Sequence, residues 1–115
     1  MHTDPDCIFC KIVAGQIPSK KVYEDEDVLA FHDIHPWAPV HFLIIPKTHI
    51  ATMADVTPAE QALMGKMMVL APQLMAQLGV TGGFRQIINT GRDGGPEVYH
   101  LHMHVIGGPR PWAKG

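Results

Sequence analysis

His100-Leu101-His102-Met103-His104 sets three imidazoles at alternate positions, followed by Val105-Ile106-Gly107-Gly108. On an extended strand alternate side chains share one face, so the three rings are expected together while Leu101, Met103 and Val105 face a core. Imidazole is the side chain best suited to proton and phosphoryl chemistry near neutral pH. A neutral ring attacks phosphorus and leaves again readily, splitting one hard displacement into two easier steps. The central ring, His102, has a neighbour on each side and is the natural nucleophile. Its Nδ1 proton then needs an acceptor so that Nε2 carries the attacking lone pair. The rival chemistry is a metal held by the alternating histidines. Just upstream, Asn89-Thr90-Gly91-Arg92-Asp93-Gly94-Gly95-Pro96-Glu97 offers a neutral amide and glycines whose N–H groups can approach an anion, a plausible phosphate cradle. A second cluster opens with Cys7-x-x-Cys10, which has metal-ligand spacing but is half a site.

These groups need a scaffold. With 115 residues, 46% of them hydrophobic and 17% charged, the chain suits one globular domain, with residues 1–6 as an N-terminal arm and 109–115 as a C-terminal tail. A formal net charge of −2 provides no general field for nucleic acid or an acidic membrane surface. The sequence holds no apolar run long enough for a membrane span and no signal-peptide pattern, so a soluble cytoplasmic protein is expected. Cys7 and Cys10 are too close to close a useful loop, which favours a reduced pair.

The spacing predicts a short helix over Cys7 to Ala14, strands over Lys21–Glu24, Val28–His32 and His41–Ile45, and a stiff Asp33–Pro39 connection carrying two prolines. Thr57-Pro58-Ala59-Glu60 is a capping box opening a long helix. Leu63, Met64, Met67, Met68, Leu70, Ala71, Leu74, Met75 and Leu78 form its apolar stripe and Gly79 its stop. Pro72 inside it predicts a bend or an early break. Strands over Phe84–Ile88 and Leu101–Ile106 flank the glycine-rich loop. Five strands with one long helix read as an α+β sandwich.

His100-Leu101-His102-Met103-His104 with its apolar continuation resembles the histidine triad signature. Cys7-Ile8-Phe9-Cys10-Lys11-Ile12, Ile17-Pro18, Ala30-Phe31-His32-Asp33-Ile34, the stretch from Ala38 to Ile50 and Gly94-Gly95 also resemble that superfamily, in the same order over nearly the whole chain. The best match is its Hint-like branch of nucleoside phosphoramidate hydrolases. The resemblance implies a five-stranded antiparallel sheet with one long and one short helix, dimerising into a ten-stranded sheet. It implies cleavage of nucleoside 5′-phosphoramidates, AMP-type and purine, through a nucleotidyl-histidine on His102. The carbonyl of His100 would fix the His102 tautomer, and His104 and His41 would contact the phosphate. Asp33 would bind the ribose hydroxyls. Ile8, Phe9, Phe31 and Ile34 would form the apolar slot for the base, with Asn89, Gly95, Pro96 and Glu97 around the phosphate. Cys7, Cys10, His49 and His100 would form a structural zinc site, if the N-terminal helix meets the end of the third strand.

Pro96-Glu97 departs from the Gln-Ser of many Hint-like members: Pro96 has no N–H, and Glu97 adds negative charge beside an anion. Reduced activity toward plain adenosine phosphoramidates is expected. The rival functions are hydrolysis of dinucleoside polyphosphates, nucleotidyl transfer to another acceptor, and a zinc-bearing nucleotide-binding module with little turnover. Trp112 is either part of a frayed tail or a wall of the partner's pocket. His2, His32 and His35 receive no role.

Overall fold

The computed structural model describes residues 2–114. Helix α1 (Ile8–Val13) leads to strands β1 (Lys21–Glu24), β2 (Val28–His32) and β3 (Val40–Pro46). Two 3₁₀ turns, Met53–Asp55 and Pro58–Glu60, precede helix α2 (Gln61–Gln77). Strand β4 (Phe84–Ile87), a single helical turn α3 (Gly91–Gly94) and strand β5 (Met103–Gly107) follow. The sheet is antiparallel at every pairing, in the order β1-β2-β3-β5-β4. This is the α+β architecture expected.

Both faces of the sheet are covered, which explains the nearly continuous apolar runs of β2 and β3. On one face Val28, Ala30, Phe42, Ile44, Met103 and Val105 pack against Met67, Leu70, Ala71, Leu74 and Met75 of α2. On the other, Leu29, Phe31, Leu43 and Ile45 pack against Cys7, Phe9, Cys10 and Ile12 at α1. Each fully buried Leu, Ile or Phe contributes roughly 1.5–3 kcal/mol of transfer free energy. Register opposes Leu43 to His104 and His41 to Ile106. The period of two therefore sends His41 and His104 to the α1 face and leaves Met103 and Val105 under α2.

Several expectations are corrected. Strand β5 starts at Met103, so His100, at the end of a bend, and His102 lie ahead of the ladder. There the backbone is held by Leu101 N–H donating to the Ile50 carbonyl at 2.6 Å. Met68 and Leu78, assigned to the helical stripe, are 48% and 39% exposed. The segment Asn89–Gly95 is not all loop, because α3 occupies its centre and Gly95 closes it at φ +72°.

The Thr57/Glu60 capping box is present, on the 3₁₀ turn that runs into α2, and Thr52 and Asp55 form a second one. Helix α2 continues through Pro72. Proline cannot donate to the carbonyl four residues earlier, here that of Met68. The Gln86 side-chain amide, reaching over from β4, donates to that carbonyl at 3.1 Å. A side chain from the sheet thus replaces the missing helical donor.

Gln86→Ala is expected to destabilise the fold by about 0.5–1 kcal/mol, the worth of a partly solvated hydrogen bond. In a Pro72→Ala background the helix supplies its own donor, and the same substitution should cost about half as much or less. Urea denaturation of the four proteins in this cycle measures the difference.

Candidate active site

The three alternating histidines do not converge on one space. His100 turns away from the other two. Its Nε2–H donates to the Pro46 carbonyl at 2.8 Å, which leaves the Nδ1 lone pair free. That atom lies 3.3 Å from Sγ of Cys7, 3.5 Å from Sγ of Cys10 and 3.2 Å from Nδ1 of His49. Sγ of Cys10 is 3.4 Å from Nδ1 of His49, and all four donor atoms lie within 4.8 Å of one another. Zinc–sulfur bonds of about 2.3 Å and zinc–nitrogen bonds of about 2.0–2.1 Å in a tetrahedron space their ligand atoms roughly 3.3–3.8 Å apart. The observed spacings match that edge length. Both sulfurs also accept backbone N–H groups, Cys7 from Cys10 at 3.3 Å and Cys10 from Asp4 at 3.5 Å, as thiolates require. Two thiolates and two neutral imidazoles suit a divalent, borderline-soft ion. The N-terminal arm closes this cluster: the His2 carbonyl accepts His49 N–H at 2.7 Å and the His2 ring packs edge-on to His49. No sequence signal marked His2 for that place.

His102 and His104 face a cavity of about 500 Å³. The Nδ1–H of His102 donates to the His100 carbonyl at 2.7 Å. That acceptor fixes the tautomer and leaves the lone pair on Nε2. Phe9 stands edge-on to the ring at 5.2 Å on one side and His104 at 5.0 Å on the other.

A second chain of hydrogen bonds sets the other tautomers. Trp37 backbone N–H donates to Nδ1 of His41 at 3.1 Å. The proton of His41 therefore sits on Nε2, which donates to Nδ1 of His104 at 2.9 Å. His104 in turn must carry its own proton on Nε2. The pair thus offers complementary groups: a lone pair on His102 and an N–H on His104. Burial pushes the His104 pKa down to about 4, helped by the neighbouring His102 and His41. Burial also lowers that of His41, against the pull of Asp33. Both rings are neutral near pH 7.

Asp33, His41 and His104 also group as possible metal ligands. The Trp37 N–H on Nδ1 of His41 places a proton on the nitrogen such an ion would need, so this arrangement favours the hydrogen-bonded chain. The three-histidine metal site considered above is not assembled, because His100 belongs to the cysteine cluster.

The other expected site residues divide. Phe9, Asp33, Asn89, Gly95, Pro96 and Glu97 line the cavity. Phe31 is buried behind Phe9, with ring centres 5.6 Å apart. Ile8 is 47% and Ile34 85% exposed, and neither lines the cavity. His41 is buried, bonded to His104, and does not line the cavity. The Gly95 N–H is taken by the Gly91 and Arg92 carbonyls, both at 3.2 Å.

His35, Trp37 and Lys114 also line the cavity and were missed. The Trp37 indole stacks on His104 at 4.4 Å and 23°. Its place in a proline-bound connection gave no periodic signal. Trp112 folds back on its own chain: its indole N–H donates to the Gly108 carbonyl at 2.9 Å, and Arg110 lies 3.9 Å from its ring centre.

Residues 14–110 match the HIT domain family model. The chain belongs to the HIT domain family. It is 50% identical over 104 residues to Protein HitA of Neisseria gonorrhoeae, covering 90% of this chain and 97% of that protein. It is 47% identical over 104 residues to the purine nucleoside phosphoramidase of Escherichia coli, covering 90% and 87% of the two. Among solved structures, a HIT family hydrolase from Legionella pneumophila superposes with a TM-score of 0.88 at 45% identity, covering 91% of this chain and 95% of that one. A zinc-bound histidine triad family protein from Mycobacterium smegmatis gives a TM-score of 0.78 at 35% identity, covering 89% and 74%. Among the described residues, no helix is long and apolar enough to cross a membrane.

The depressed His104 pKa has a stability consequence. Between the ordinary value of 6.5 and about 4, the unfolded chain binds the proton and the folded one does not. Stability is fully present above that window and falls as pH drops through it. Urea denaturation between about pH 7.5 and pH 5 should show a loss of roughly 1–2 kcal/mol from His104, to which His100, lowered to about 4 by burial, adds. A ring-proton NMR titration should place the His104 midpoint below about pH 5.

Proposed function

We propose that the chain cleaves nucleoside 5′-phosphoramidates, of AMP type and with a purine base, through a nucleotidyl group carried on His102. Its family, its kinship with a family hydrolase and its likeness to a purine nucleoside phosphoramidase make it a hydrolase. The observation that carries the finer reading is the His102 Nδ1 to His100 carbonyl bond of 2.7 Å. It supports a ring whose free lone pair faces the cavity.

Nε2 of His102 attacks phosphorus and the P–N bond breaks. The P–N electrons stay with the amine, which takes a proton from solvent. The nitrogen must be protonated to leave as a neutral amine, and with the neighbouring histidines neutral that proton comes from solvent. The positive charge that develops on the His102 ring is stabilised by the His100 carbonyl against Nδ1–H. The Nε2–H of His104 and the Asn89 amide, both on the cavity wall, would donate to the non-bridging oxygens as charge accumulates on them. Water then attacks phosphorus, the P–Nε2 bond breaks, and the nucleoside monophosphate leaves with His102 neutral again. Asp33 would bind the ribose hydroxyls, although one of its oxygens already accepts His35 N–H at 2.8 Å. Phe9, backed by Phe31, would flank the base.

In this reading Cys7, Cys10, His49 and His100 hold a structural zinc ion, which would supply a rigid anchor for His100. The protein works as a homodimer with a ten-stranded sheet. Support comes from β4, an edge strand beside α2, where Met68 and Val69 are 48% and 61% exposed. Glu97 is exposed at the cavity rim and there disfavours an anionic ligand. This is the feature that favours slow turnover of plain adenosine phosphoramidates.

His102→Asn is expected to lower kcat for an adenosine phosphoramidate by at least about a thousandfold, the loss typical of a removed nucleophile, with AMP affinity changed less than about threefold. Mass spectrometry of wild-type protein quenched early in turnover should find an adenylyl group on His102. Turnover in His102→Asn, or no adduct on wild-type protein, overturns the covalent route.

Cys10→Ser should reduce bound zinc well below one equivalent per chain and lower the melting temperature. It should also broaden or shift the His102 Nδ1–H resonance, because the His100 carbonyl is no longer held. Elemental analysis, calorimetry and proton NMR read these three effects.

A further inference from the structure

The cavity wall contains two carboxylates, Asp33 and Glu97, and one Lys or Arg, Lys114. A nucleoside phosphoramidate brings a negative charge into this space, and His41 and His104 are held neutral. The cation comes from the tail, well separated in sequence from the other lining residues. Lys114 N–H donates to the Trp37 carbonyl at 3.0 Å. Its ammonium lies 5.0 Å from the centre of the Trp37 ring, which also meets the stacked His104 and the tilted His41. The tail is folded toward the same chain's site by Trp112, through its bond to Gly108. Among the described residues, no carboxylate lies within ion-pair distance of the Lys114 ammonium. A positive charge is thus carried to the cavity wall on an aromatic platform, with no side-chain hydrogen bond to it among the described residues. After burial and the neighbouring histidines, Lys114 is also among the charges that keep His104 unprotonated.

We propose that Lys114 is an anion-binding, specificity-determining residue of this cavity, donating to a negatively charged group of the substrate. This rests on the phosphoramidate reading above. The anion is a phosphate oxygen or a carboxylate borne by the leaving amine; the recognising chemistry is the same, and substrate choice separates the two. The backbone bond to Trp37 is independent of the side chain, so Lys114→Met removes the charge while keeping the tie and most of the apolar stem. Lys114→Arg keeps the charge.

The test compares wild type, Lys114→Met and Lys114→Arg on two adenosine 5′-phosphoramidates of similar size. One has a neutral leaving amine and the other an amine bearing a carboxylate. AMP binding is measured by calorimetry in parallel. Losing a charge-assisted hydrogen bond should lower kcat/KM about tenfold in Lys114→Met. A loss on both substrates, matched by weaker AMP binding, assigns the contact to phosphate. A loss on the carboxylated substrate alone assigns it to the leaving group. In either case Lys114→Arg should recover most of the loss, which a purely structural role would not produce. Lys114→Met within about twofold of an active wild type on both substrates and on AMP overturns the proposal. A wild type that cleaves neither substrate and does not bind AMP instead overturns the underlying function.

Discussion

One peptide carbonyl, that of His100, is the point on which the site turns. It accepts the Nδ1 proton of His102 and so decides which nitrogen of that ring carries the lone pair. The same residue holds its ring between Pro46 and the sulfur atoms of Cys7 and Cys10. Cysteine cluster, end of β3 and His102 are joined through a single residue bonded at both its ring and its carbonyl. The chain here lies ahead of the sheet ladder, where a carbonyl on this segment is available to a side chain two residues on. Had β5 begun at Leu101, its backbone groups would have been drawn into the ladder.

A protonated imidazole has no lone pair to attack with and no free nitrogen to accept from a neighbour. Tight packing under α1 and the stacked indole of Trp37 keep water from His104 and His41, and neutral rings follow from that exclusion. The cost is a destabilised charged form, which the fold tolerates because every buried side-chain nitrogen and oxygen among the described residues has a partner.

The sheet and helices were legible because their signals are local and strong. β1 and β2 fall at the bounds that their apolar residues predict, and the Thr57/Glu60 box opens the α2 segment. The histidine motif, read by resemblance, located the site; its internal division did not follow from alternation. That rule holds only on a regular strand, and His100 and His102 precede one. The helix through Pro72 was unreadable because its substitute donor, Gln86, lies fourteen positions away on another element. Trp37 and Lys114 were missed for the same reason. Each reaches the cavity through a nonlocal contact that no periodicity encodes. Ile34 resembled a family position by neighbouring sequence, yet it points into solvent, since the turn after β2 ends the alternation before reaching it.

Both ends of the proton arrangement are anchored on main-chain atoms: the His100 carbonyl at one end and the Trp37 amide at the other. Peptide groups are common to all residues, and only proline lacks the amide hydrogen. The wall of the cavity can therefore drift in size, charge and aromaticity at position 37 without disturbing which nitrogens hold protons. The lining of the cavity and the tautomers of its rings thus rest on different atoms of the chain, side chains for the one and peptide groups for the other.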